Sequence, residues 1–181
     1  LLPWTHMPHS LPHFSWNPLS TLRPCSVLNA KNDSHHAALT ELRNCINTGQ
    51  SIRVTKTGPM VAPAPTAELF CETGGSTGTP KVIARSHASW IASFEINREL
   101  FGITPQDCTA VFGGIGYSLA LYGVIEAAHI GSDICMLAGL RPKAQCAELL
   151  HHKVTLLYIT PTQLKVLTTP KVICPTVRHI I

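Results

Sequence analysis

The chain of 181 residues is long enough for one domain, or for one domain with an appendage. Charged residues make up 13% of it, well under the ordinary share of about 25%, and 14 Lys and Arg against 10 Asp and Glu leave a formal charge of +4. A hydrophobic share of 45% excludes a long disordered polar chain; no apolar run reaches the roughly 18 residues of a membrane span, and a charge without any Lys/Arg cluster argues against nucleic acid.

The opening stretch, LLPWTHMPHSLPHFSWNPLS, lacks a basic start and is interrupted by Pro3, Pro8, Pro12 and Pro18, so it does not read as a signal peptide. Residues 1–34 are expected to be an irregular segment outside the domain proper, which would run from 35 to 181. From His35 onward, HAALTELRNCI sets Ala38, Leu39, Leu42, Cys45 and Ile46 at helical spacing and ends near Gly49. Residues 51–56 alternate like a short strand. TGPMVAPAPTA, with Pro59, Pro63 and Pro65, reads as an extended connector.

A series of α/β units follows. Residues 69–71 predict a strand entering the glycine-rich TGGSTGTPK, and 82–85 a return strand. Residues 86–101 predict a helix with Trp90, Ile91, Phe94 and Phe101 on one face. Then come a strand over 108–112, a helix over 118–128 closed by Gly131, and a strand over 133–137. A helix from Pro142 to His151, a strand over 154–159 and a final strand in PTVRHII complete the series. Before Leu164, the run Thr160-Pro161-Thr162-Gln163 supplies a capping box. Strands alternating with helices imply an α/β fold, a mainly parallel sheet flanked by helices. The apolar strands VTLLYI and DICML fit burial on both faces. The chain starts at Leu1 rather than Met and stops inside its last strand, so it is expected to be an incomplete piece of a larger domain.

Seven cysteines (25, 45, 71, 108, 135, 146 and 174) form no CxxC and sit among apolar neighbours. They are expected to be buried free thiols in a reducing, cytoplasmic setting. The pairs His35-His36 and His151-His152 are adjacent, which suits a metal poorly, and no metal-ligating residue is assigned.

The segment that stands above background is Thr73, Gly74, Gly75, Ser76, Thr77, Gly78, Thr79, Pro80 and Lys81. Three glycines let backbone N–H groups approach an anion closely, the hydroxyls add donors, and Lys81 adds positive charge at the exit. Such a nest fits a polyphosphate such as that of ATP. A flexible loop without a ligand is the alternative that composition leaves open. A Walker A loop is excluded, because Pro80 precedes Lys81 and Val82 follows it. A dinucleotide fingerprint starting at Gly114-Ile115-Gly116 fails, since Leu119 stands at its third glycine.

CETGGSTGTPKVIARSHASW resembles the phosphate-binding core of the adenylate-forming superfamily: acyl-CoA synthetases, luciferases and peptide-synthetase adenylation domains. Its [ST]-[SG]-G-[ST]-[TS]-G-x-P-K pattern is matched from 73 to 81, and His87 falls where a Thr-His is common. FGGIGYSLALYGVIEAAHIGSDICML is similar to the segment lining the acyl and adenine side of that family's cleft, which implies Tyr117 and Ser118 as cleft residues. An ordinary core tyrosine is the other reading of Tyr117. HHKVTLLYITPTQLKVL and PTVRHII are similar to later units, so the likeness covers about residues 36–181.

The resemblance implies that a carboxylate attacks the α-phosphate of Mg²⁺-ATP to give acyl-AMP and pyrophosphate, and that coenzyme A then takes the acyl group. Thr73, Ser76, Thr77 and Lys81 would contact the β- and γ-phosphates. Gly74 replaces a commoner Ser, and Glu72 sets a carboxylate beside the phosphate site. The family's metal-holding Tyr-Gly-x-Thr-Glu stretch, its ribose Asp and its catalytic Lys are not among these residues, so no catalytic residue is assigned. The expected function is that of a fragment of an ATP-dependent carboxylate-activating ligase, inactive alone. The alternative is a non-catalytic nucleotide- or acyl-binding module.

Overall fold

The structure, a computed structural model, describes residues 13–26, 30–62, 67–72, 81–168 and 173–181. Among them, strands β1 (Leu22–Arg23), β7 (Asp133–Met136), β6 (Cys108–Val111), β8 (Leu156–Tyr158) and β9 (His179–Ile180) form, in that order, a sheet in which every pairing is parallel. Its strands are apolar on both sides because helices cover both faces. Helix α3 (Ser118–Ile130) packs Leu121, Val124, Ile125 and Ala128 against Val111, Ile134 and Met136. On the opposite face, Cys108, Ala110 and Leu137 meet Cys146 and Leu149 of α4 (Pro142–His151) and Leu167 of α5 (Pro161–Leu167). The alternation along β6 therefore divides the core into two layers.

A second, mixed sheet holds β3 (Gly58–Val61), β2 (Ile52–Thr55), β4 (Glu68–Glu72) and β5 (Val82–Ser86) in that order. β2 and β4 run parallel, whereas β2–β3 and β4–β5 are antiparallel. Helices α1 (Ala30–Asn47) and α2 (His87–Phe101) contribute Leu39, Leu42, Ile46, Ile91 and Phe94 to the same core as α3. Ser86 caps α2, its Oγ accepting from Ser89 N at 3.2 Å. The capping box of Thr160 and Gln163 forms as the spacing predicts.

Three expectations are corrected. Residues 57–67 are not simply a connector: β3 pairs with β2 from Val61 to Gly58, with Pro59 on the edge strand where a missing N–H is tolerated. The strands do not all join one sheet, because the β4–β5 hairpin belongs to the second. The N-terminal stretch is part of the fold wherever it is described. Phe14 is buried and stacks on His87 with ring centroids 3.9 Å apart, β1 pairs with β7, and α1 starts at Ala30. Proline density blocks a long helix there but not the anchoring of single apolar side chains, each contributing about 1.5–3 kcal/mol on full burial.

Candidate functional site

The direction of the chain reverses at β6. α3 carries it to β7 on one side, and α4 then carries it back across to β8 on the other. In an open α/β sheet, such a reversal leaves a crevice beyond the carboxyl ends of the strands. Here it is a cleft of about 480 Å³. Phe112, Gly113 and Gly114 enter it from the end of β6, Gly139 from the end of β7, and Tyr158 and Thr160 from β8. Gln163 ties two of these ends together, its Nε2 donating to the Phe112 carbonyl at 3.4 Å.

His35 of α1 closes one side. A Cβ on Gly114 would come within 2.8 Å of the His35 ring, so glycine is what lets the loop pass so close. Burial lowers the His35 pKa, reinforced by His36 and Lys31, and keeps the imidazole neutral. The cleft edge thus carries an uncharged group able to donate or accept a hydrogen bond.

The Tyr158 ring lies against α3 at Gly123, and its hydroxyl donates to Glu126. Asn97 of α2 donates to the other Glu126 oxygen at 2.8 Å and to the Tyr122 hydroxyl at 3.2 Å. Burial raises the Glu126 pKa, while Tyr158 and Asn97 oppose that shift. This network holds the tyrosine in one position and gives the cleft a fixed floor.

A second cavity of about 340 Å³ shares His35, Gly114 and Tyr117 with the cleft and reaches Thr55 and Lys56 at the end of β2. The parallel register pairs Val54 with Cys71, which brings the ends of β2 and β4 side by side. Glu72 pairs in turn with Val82 across the hairpin. The two anchors of residues 73–81 therefore stand at the same sheet end as this cavity.

Of the residues predicted for the phosphate loop, Thr73, Gly74, Gly75, Ser76, Thr77, Gly78, Thr79 and Pro80 lie outside the described residues. Lys81 is exposed just before β5. Tyr117 is 61% exposed, lines both cavities and occupies the N-cap of α3. Ser118 is exposed in the first turn of α3 and is not among the residues lining either cavity. His87 is fully buried, and burial lowers its pKa to about 4, with His13 adding to the shift. Its Nδ1 accepts from Phe14 N at 3.2 Å, which makes it a packing residue. Sequence reasoning missed His35, Tyr158 and Gln163 as cleft residues. No short motif marks His35; its approach to Gly114 follows from how α1 packs against the loop after β6. Among the described residues, no group of three His, Cys, Asp or Glu could hold a metal ion, and no helix is long and apolar enough to cross a membrane.

Comparison with known proteins gives a consistent answer. The family described as AMP-binding enzyme matches residues 24–179. An uncharacterized acyl–CoA ligase, YhfT of Bacillus subtilis, is 34% identical over 90 residues, which are 50% of this chain and 19% of that protein. Among solved structures, apo MbtA of Mycobacterium smegmatis superposes with a TM-score of 0.55 at 29% identity, over 67% of this chain and 23% of that one. MenE of Bacillus subtilis, solved in complex with AMP, shares the fold with a TM-score of 0.55 at 21% identity, over 62% of this chain and 24% of that one. The match spans about a fifth of the curated relative's length.

Proposed function

The chain belongs to the AMP-binding enzyme family, and from that premise we propose that it carries the triphosphate loop and part of the acyl cleft of an ATP-dependent carboxylate-activating ligase. The observation that carries this reading is the placement of the loop's anchors. Glu72 and Val82 stand at the sheet end where Thr55, Lys56 and Tyr117 line a cavity continuous in its residues with the cleft. A nucleotide tail on residues 73–81 and a carboxylic acid in the cleft would then approach one another across Tyr117.

In the first step, a carboxylate oxygen attacks the α-phosphorus of ATP, and pyrophosphate leaves as acyl-AMP forms. The N–H groups of the glycine-rich loop and the charge of Lys81 hold the β- and γ-phosphates and stabilise the leaving charge. Neutral His35 and the rigid Tyr158 floor orient the acid without adding a charge that would compete for its carboxylate. In the second step, the sulfur of coenzyme A attacks the acyl carbonyl and AMP leaves. The family resemblance implies Mg²⁺ for the first step. The described residues offer no donor set for it, and no step is assigned to a metal held by them.

The 181 residues alone bind nucleotide without turning it over, because the metal-binding and catalytic-lysine stretches of the family pattern are not among them. The seven free cysteines support a reducing, cytoplasmic setting. Equilibrium dialysis of the chain with ATP tests the reading. Retention of ATP that pyrophosphate displaces, and that Lys81→Ala weakens at least about tenfold as expected for a charge-assisted phosphate contact, would support it. No retention, or retention indifferent to Lys81→Ala, would count against it.

A further inference from the structure

Resting on the reading of the chain as part of an ATP-dependent ligase, we propose that Lys56 is a second cation for the phosphate tail of the nucleotide. It would act from the turn between β2 and β3, beside the strand end that leads into residues 73–81.

The turn is held from two sides. Thr55 and Gly58 pair across the hairpin, which leaves Lys56 and Thr57 as its two-residue loop. Thr55 Oγ1 donates to the Gly58 carbonyl at 3.2 Å and accepts from Thr57 N at 3.2 Å. With that proton used, the 2.7 Å contact between the two hydroxyls is Thr57 donating to Thr55. From the far side, a Cβ on Gly116 would stand 3.3 Å from the Thr55 carbonyl oxygen and 3.4 Å from Lys56 Cα, so the loop after β6 braces the turn.

The charge balance of the cavity of about 340 Å³ then points to Lys56. Among the described residues that line it, Lys56 alone carries a full charge and none is a carboxylate. The hydroxyl protons of Thr55 and Thr57 are spent within the turn, and Ser34 donates to the Lys31 carbonyl at 2.8 Å. These oxygens therefore have no proton to offer an anion, whereas the ammonium has three. No ion pair among the described residues takes up Lys56.

The register also separates Lys56 from Glu72. Val54 pairs with Cys71, so the chain leaving β2 runs beside the chain leaving β4. Leu69 and Cys71 are buried in the core, which assigns Glu72 to the opposite face of the sheet. Lys56 lines a cavity on the core side, whose other walls come from α1 and the loop after β6. A phosphate tail entering there meets the ammonium and not the carboxylate, and a lysine suits it as a point charge.

Two measurements test the assignment. On the unsubstituted chain, ATP should slow acetylation of Lys56 by sulfo-N-hydroxysuccinimide acetate and leave Lys143 on α4 unchanged, read by peptide mass spectrometry; AMP should protect neither. In equilibrium dialysis, Lys56→Met should weaken ATP retention at least about tenfold, as for loss of a charge-assisted contact. It should leave AMP retention unchanged, and Lys56→Arg should restore most of the ATP retention. Thermal unfolding of each variant checks that it is folded, and the acetylation result stands without any variant. ATP retention that Lys81→Ala weakens but Lys56→Met does not, equal loss of AMP and ATP, or no protection of Lys56 by ATP would overturn this assignment and leave the ligase reading intact. No ATP retention by the unsubstituted chain would overturn both.

Discussion

Gly123 of α3 faces the ring of Tyr158 so closely that a Cβ there would stand 2.5 Å from the tyrosine Cγ. The contact joins the helix to the floor of the cleft, since Tyr158 is both fully buried and a lining residue. Gly123→Ala would gain up to about 1 kcal/mol of helix propensity but force the ring aside at an overpacking cost of about 1–3 kcal/mol. Urea unfolding should show a net loss of about 1–2 kcal/mol. In a Tyr158→Ala background the same change should be neutral or stabilising, because nothing is left to displace. Equal losses in both backgrounds would refute the contact.

Tyr158→Phe should cost about 1–3 kcal/mol, because Glu126 loses a buried hydrogen-bond donor. The penalty should also grow with pH. A carboxyl raised by burial favours folding while protonated, and that contribution is lost as pH rises through its raised value. Removing the hydroxyl, which stabilises the charged form, enlarges the loss. Urea unfolding at pH 5 and pH 7.5 measures the difference; a penalty independent of pH would exclude the assignment.

Asn32 is buried in the first turn of α1, where its Nδ2 donates to the carbonyls of Met136 and Ala138, each at 2.9 Å, just where β7 ends and the chain turns into the cleft at Gly139. Asn32→Ala leaves both carbonyls without that partner and should cost about 1–3 kcal/mol. Thermal unfolding checks the size. A loss within about 0.5 kcal/mol, the ordinary surface level, would mean that α1 does not hold the end of β7.

His87 predicts an acid-side loss of stability. It remains neutral in the folded chain down to about pH 4, whereas unfolded histidine takes a proton near its ordinary 6.5. Stability from this group is therefore present above pH 6.5 and falls away between 6.5 and about 4. Asp107 and Asp133, both lowered, act only below this window. His87→Asn keeps an acceptor for Phe14 N and removes the titration, so its stability should change less across that interval. An unchanged pH profile would contradict the burial of this ring.

The helices and most strands were legible because each carries its own periodicity and caps: Thr160 and Gln163 announced α5, and Gly131 the end of α3. Pairing was less legible. Nothing local in residues 68–72 says that they join β2 rather than β6, since a strand pattern states which residues face a core but not which strand lies beside it. Pro59 concealed an edge strand, and the proline-rich opening concealed Phe14, whose anchoring depends on His87 far along the chain. For the site, the sequence located Tyr117 at the cleft but not His35 or Tyr158. Their place follows from the α1 packing and the strand order, and neither is written in a short motif.

The central proposal is that a nucleotide with its tail on residues 73–81 reaches, across Tyr117, the edge of the cleft that takes the carboxylic acid. Backbone amide shifts of the isotopically labelled chain during ATP titration test it most directly. The account predicts perturbations at Gly113, Gly114, Tyr117, Lys56, Glu72 and Lys81 that weaken together in Lys81→Ala. Saturating ATP that leaves these amides unmoved, or moves only residues remote from both cavities, would contradict it.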